Sequence, residues 1–123
     1  MGSESFNKKE RLLKKWEYQK VFDKGWRINK RFFIIYGIRK VQGFTRIGIS
    51  VPKRVGSAIK RNKIKRLIRE VFRRNKDRFI QSHDIVIVAK DGAEGLSFKD
   101  IEKILLLTIE SGINVDTDYQ YKQ

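Results

Sequence analysis

The apolar positions fall into blocks of different period, and each block predicts an element. From about Lys14 to Lys24, Trp16, Tyr18, Val21 and Phe22 recur at helical spacing, and Gly25 follows as a stop. Phe32 to Val41 and Phe44 to Val51 are rich in β-branched and aromatic residues and are joined across Gln42-Gly43, which predicts a hairpin. In the second strand Ile47, Ile49 and Val51 alternate with Arg46, Gly48 and Ser50, so one face is apolar and the other small or polar. Pro52 ends that strand, and Ser57 is placed to cap a long helix reaching about Asp77. Its stripe is Ile64, Leu67, Ile68, Val71 and Phe72, the spacing of one core-facing side. Ile85 to Lys90 reads as a short buried strand, and Asp91 to Gly95 as a turn. Ser97-Phe98-Lys99-Asp100 reads as a capping box opening a last helix through Ile101, Ile104, Leu105 and Ile109. The order predicts an α+β sandwich with helices packed on a small mixed sheet.

Length adds one constraint: 123 residues fit a single domain. Met1 to Glu10 reads as a flexible start, with Gly2-Ser3 of the kind an expression tag leaves; residues 11–111 form the domain and 112–123 a tail. No apolar run is long enough to span a membrane and no signal-peptide pattern is present, so the expected setting is the cytoplasm. There is no cysteine, which excludes disulfides, thiolate chemistry and zinc ribbons. His83 is the only histidine, so triad chemistry would depend on it alone; next to Asp84 it reads as a turn before a strand.

Charge changes the picture more. Lys and Arg number 29 against 14 Asp and Glu, for a net charge of +15, and no acid occurs between Asp23 and Glu70. The cations are threaded through Phe, Ile, Tyr and Val, so the basic region is the folded body, as in nucleic-acid binders. At 100° per residue, Arg61, Asn62, Lys65, Arg66, Arg69 and Arg73 occupy one arc flanking the apolar stripe of the long helix. A solvated face is the ordinary reading of such an arc. A face built for stability, however, would interleave Glu four residues from Lys, and this one does not until Glu70. Phosphates are the natural counter-charge, since Arg forks bind them bidentately. The carboxylates are not clustered in this basic body, so metal-dependent phosphodiester hydrolysis would need ligands from elsewhere. Trp16 and Trp26 read as surface and packing aromatics. A ribosomal-protein-like RNA binder would share charge, size and sheet; a DNA architectural protein is disfavoured because no helix-turn-helix spacing or zipper is visible.

The run Arg61-Asn62-Lys63-Ile64-Lys65-Arg66-Leu67-Ile68-Arg69-Glu70 resembles the RNR signature of the bacterial ribonuclease P protein component. Ile49-Ser50-Val51-Pro52-Lys53-Arg54-Val55-Gly56 resembles the strand and turn preceding it, and Arg11-Leu12 with Tyr18-Gln19-Lys20-Val21-Phe22 resembles the family's start. The likeness covers about Arg11 to Ile109. Lys63 stands where the family often has a second Arg, keeping charge without the planar fork, and Tyr18 where many members have Phe.

The resemblance implies an α-β-β-β-α-β-α order in a two-layer sandwich with a left-handed βαβ crossover at the long helix. It implies the protein subunit of an endoribonuclease that removes the 5′ leader of precursor transfer RNA. Catalysis would reside in the RNA subunit, with no catalytic residue in this chain. Lys53, Arg54, Lys60, Arg61, Asn62, Lys65, Arg66, Arg69 and Arg73 would face that RNA. The single-stranded leader would lie on Arg11, Lys14, Tyr18, Phe22 and Tyr36. From spacing alone those rings read as helix-to-sheet core; the resemblance makes them a groove. Magnesium would be required by the holoenzyme and held mainly by RNA, with none intrinsic to the protein. The partners would be the RNA subunit and precursor transfer RNA, with no membrane and no DNA.

Overall fold

The computed structural model describes residues 7–110 and the short strand at 120–121; the start before residue 7 and most of the 112–123 tail lie outside the described residues. Three helices, α1 (Lys15–Lys24), α2 (Ala58–Arg74) and α3 (Phe98–Ile109), pack on a mixed sheet. Its strands are β1 (Trp26–Asn29), β2 (Phe33–Arg39), β3 (Arg46–Ser50), β4 (His83–Ala89) and β5 (Gln120–Tyr121), in the order β3-β4-β2-β1-β5.

The expected hairpin between the second and third apolar blocks does not form. β2 and β3 are separated by β4, which runs antiparallel to β2 and parallel to β3. From Ile85 on, β4 is apolar on both faces and almost wholly buried, which suits a strand with a partner on each side. Gln42-Gly43 does reverse the chain, with Gly43 at φ 101°, but in a wide loop tied to the approach to β4. Lys40 N–H donates to the Ser82 carbonyl (2.8 Å), Ser82 Oγ to the Gly43 carbonyl (2.8 Å) and Thr45 Oγ1 to the Ile80 carbonyl (2.7 Å). The true hairpin is β1–β2, turning through residues 30–32. Because β3 and β4 are parallel neighbours, the chain between them, carrying α2, is a crossover.

Ile64, Ile68, Val71 and Phe72 of α2 and Ile101, Leu105 and Ile109 of α3 pack on the sheet face formed by Phe33, Ile35, Ile47, Ile85 and Ile87. The predicted caps form: Ser57 Oγ accepts from Lys60 N–H (3.3 Å), and Ser97 and Asp100 close a reciprocal box (3.0 and 3.2 Å). α2 ends at Arg74, short of the expected Asp77. Buried Asn75 turns its amide onto the Val71 carbonyl (2.8 Å) and Glu102 (2.9 Å), and a 3₁₀ turn, Lys76–Arg78, follows. Lys8–Glu10, in the stretch expected to be flexible, also forms a 3₁₀ turn, anchored by Glu10 to Lys76 at 2.9 Å.

α1 covers the opposite face, adding a partial third layer to the expected two. Val21 and Leu12 are buried there against Val86, with Tyr18, Phe22, Tyr36, Ile38 and Val88 around them. Gly25 ends α1 as predicted, though at φ −87°, so a left-handed cap is not the reason for glycine. A Cβ at Gly25 would stand 2.4 Å from the Gly37 carbonyl oxygen; close passage from α1 into β1 is the constraint.

Candidate nucleic-acid interface

Strand register divides the α1 face into three rows: Ser50–Val88–Ile34, Gly48–Val86–Tyr36 and Arg46–Asp84–Ile38. α1 lies along the middle row. The Tyr18 ring rests on Gly48, where an added Cβ would be 2.7 Å from Cζ. Its hydroxyl accepts from Ile49 N–H and donates to the Leu12 carbonyl, each at 3.3 Å. Phe22 meets Tyr36 edge to face, with centroids 4.8 Å apart, so Tyr36 rises beneath the helix as its alternation required.

Of the five residues predicted for the leader, Tyr18, Phe22 and Tyr36 are thus brought together, all half-buried. Lys14 is exposed at the N-cap of α1. Arg11 sits apart, bridging to Ile47 at the free edge of β3, where Leu12 N–H donates to the Ile47 carbonyl (2.9 Å). The half-buried row Ser50–Val88–Ile34 extends the floor beside Tyr36. Sequence reading did not assign it, although the alternation of β2 and of Val86 with Val88 carries the signal.

A charge network fixes the helix to the remaining row. Arg46 grips Asp84 with Nε and Nη2 (3.0 and 2.7 Å) and reaches Glu17 with Nη1 (2.6 Å), while Lys40 stands 3.1 Å from Asp84. Glu17 also accepts the Leu13 and Lys14 N–H groups (3.1 and 3.0 Å), capping α1. The Lys14 amide, followed by Leu13 and Arg46, holds the Glu17 carboxyl below its usual range. For Asp84, burial pushes upward, but the Arg46 and Lys40 hydrogen bonds outweigh it and the carboxyl is lowered. His83 starts β4 on the other face, buried, with Nδ1 2.8 Å from the Gln81 carbonyl. His83 and Asp84 therefore face apart, and the carboxylate is held by cations.

The predicted arc of α2 presents Asn62, Arg66 and Arg69 to solvent, with Arg61 and Lys65 half-buried beside them; Lys60, off the arc at the helix start, and Lys53 and Arg54 on the preceding turn are exposed too. Arg61 Nε donates to the Gly56 carbonyl (3.1 Å), which turns its fork around the helix start. Arg54 lies 3.4 Å from Asp91 in an exposed pair. Arg73 is the exception within the arc: its Nε and Nη2 clasp Glu70 at 2.8 and 2.6 Å. Arg73, with Arg74, brings Glu70 down to about 2. Among the described residues no group of three or more His, Asp or Glu could hold a metal ion. Glu17, Glu70 and Asp84 are each paired with cationic side chains.

A basic α+β domain whose long helix carries no acid before Glu70 and which has an aromatic groove across its sheet belongs to the class of RNA-binding domains. The sequence profile described as Ribonuclease P matches residues 6–110. A ribonuclease P protein component from Syntrophus aciditrophicus is 43% identical over 108 residues, spanning 86% of this chain and 91% of that protein. One from Clostridioides difficile is 38% identical over 80% of this chain and 87% of its own length. The Thermotoga maritima RNase P protein structure superposes with a TM-score of 0.75 at 29% identity, covering 81% of this chain and 94% of that one. The chain belongs to the ribonuclease P protein family, the protein components of a transfer-RNA-processing endoribonuclease.

Proposed function

We propose that this chain binds the RNA subunit of ribonuclease P through α2 and the turn before it, and the single-stranded 5′ leader of precursor transfer RNA on the sheet beside α1. The observation that carries this reading is the exposed arc Asn62, Arg66 and Arg69 with Lys60 and Lys53, in which no acid intervenes before Glu70. Such an arc suits a phosphate backbone and positions RNA without reading sequence. Phe22 and Tyr36 supply rings on which any base can stack, which suits a protein that must accept many leaders. Catalysis is assigned to the RNA, with the magnesium ions held there, because the described side chains offer neither a nucleophile with a base nor a carboxylate cluster. The setting this implies is the cytoplasm.

The test is reconstitution. Purified protein is incubated with precursor transfer RNA and magnesium, with and without a ribonuclease P RNA subunit. Accurate 5′ cleavage is expected only with the RNA, and at lower magnesium when protein is present. Tyr36→Ala should weaken binding of leader-bearing precursor while leaving mature transfer RNA unaffected in the complex. Accurate cleavage by the protein alone, or equal losses for both substrates, would overturn the assignment of roles.

A further inference from the structure

On the other side of α1 from the Ser50–Val88–Ile34 row lies a second groove of about 330 Å³, between the helix and the ends of β2, β3 and β4. Trp16 stands at its rim, 62% exposed, in the first turn of α1. Lys20, one turn on, lines the same wall; Arg39, Lys40 and Val41 form the opposite wall, where β2 runs into its loop. The two carboxylates on the floor, Glu17 and Asp84, are both gripped by Arg46. Counting Lys20, Arg39, Lys40 and Arg46 against them, the groove carries four cations and two acids. An exposed indole over a net positive trough combines a stacking platform with backbone phosphate contacts, the two elements of single-strand recognition.

We propose that this groove is a second single-stranded RNA site, holding a short stretch with one base stacked on Trp16 and its phosphates on Lys20 and Arg39. The inference rests on the reading that the chain works on RNA, but it concerns a surface that α1 separates from the leader groove. A strand here is a different segment of RNA from one lying on Tyr36.

Tryptophan fluorescence isolates the site, because the chain's other tryptophan, Trp26, is buried in the core at 2% exposure. The full-length protein is titrated at low salt with a short end-labelled oligouridylate, following Trp emission and label anisotropy together. The expected result is saturable quenching that disappears in Trp16→Phe. The affinity read by quenching should fall about five-fold or more in Lys20→Ala/Arg39→Ala, and it should be unchanged in Tyr36→Ala. Quenching that persists in Trp16→Phe, or that is lost in Tyr36→Ala, overturns the second site. Oligouridylate binding by anisotropy with no change in Trp emission overturns it too and leaves the functional reading intact. Failure to bind the oligonucleotide also overturns the groove, whereas failure to assemble with the RNA subunit is what would defeat the functional reading.

Discussion

Replacing Arg46 by Met should loosen α1 without unfolding the sheet, and the contacts bound the cost. The guanidinium makes three charged hydrogen bonds, one to Glu17 and two to Asp84. At about 1.5–3 kcal/mol each in favourable settings, their sum would rival the stability of a small domain. Neither carboxylate is orphaned, however: Asp84 keeps Lys40, and Glu17 keeps two backbone amides. The Arg46 side chain is also 28% exposed, so water screens what remains. We therefore expect a loss of about 2–3 kcal/mol, well below full disruption of a buried pair. A double-mutant cycle separates the two arms. Arg46→Met with Glu17→Gln should show a coupling of about 1 kcal/mol, and with Asp84→Asn about 2, the two-pronged and more buried contact being the stronger. Urea unfolding of the four proteins in each cycle, at unchanged slope, gives the numbers. Limited proteolysis at Lys14 and Lys15 should accelerate in Arg46→Met. A coupling to Glu17 below about 0.3 kcal/mol, the usual noise of additive sites, would refute the idea that this pair tethers the helix.

Gly48→Ala drives a methyl into the Tyr18 ring at 2.7 Å and should cost about 1–3 kcal/mol in thermal or urea unfolding, the usual range for overpacking; restoration by Tyr18→Phe would show instead that the hydroxyl, not the ring, is the obstacle. Affinity for the RNA subunit should fall steeply with salt, with a log–log slope near −4 for about five phosphate contacts, and Arg66→Ala/Arg69→Ala should flatten it by about 1–2 without altering circular dichroism. Burial, assisted by Arg39 and Lys40, lowers the His83 pKa below 6.5, so the folded state resists a proton that the unfolded chain accepts. Stability should be full above pH 6.5 and decline as pH falls below it, by at most about 1.4 kcal/mol per pH unit until the folded pKa is passed; His83→Gln should remove this leg, and denaturation midpoints between pH 5 and 8 measure it. At lower pH the depressed carboxyls act: protonating Glu70 between about 4.5 and 2 should release Arg73 and Arg74, visible as loss of the last turn of α2 by hydrogen exchange.

The helices were legible because their signals are local: Ser57 and Ser97 cap where sequence places them, and the stripe of α2 buries with Leu67 only partly covered. Strand pairing was not, since Gln42-Gly43 reports that the chain reverses but not which strand it will meet; that depends on β4, some forty residues on. The family resemblance implied a third strand before the long helix, but the apolar pattern did not show β1, because Trp26–Asn29 is four residues long and half polar, too short for a period to register. In the interface the arc of α2 followed from rotation alone. The commitment of Arg73 was visible in principle, Glu70 lying one turn before it, whereas the clasp of Arg46 on Asp84 joins residues 38 apart and needs the fold.

The placement of β4 between β2 and β3 has a consequence in time. During synthesis β3 emerges with no strand to join, and its central partner is complete only when Ala89 has been added, about forty residues after Ser50. At ~5–20 residues per second the gap lasts roughly 2–8 s. Through that interval the nascent chain carries an unpaired strand edge and the most basic helix of the protein, already able to form on its own local signals but lacking the strand that completes the sheet beneath it. Completion of the sheet must therefore follow the birth of its most basic helix. The refolding rate of the whole chain should be governed by closure of the long β3–β4 loop and not by the short β1–β2 turn.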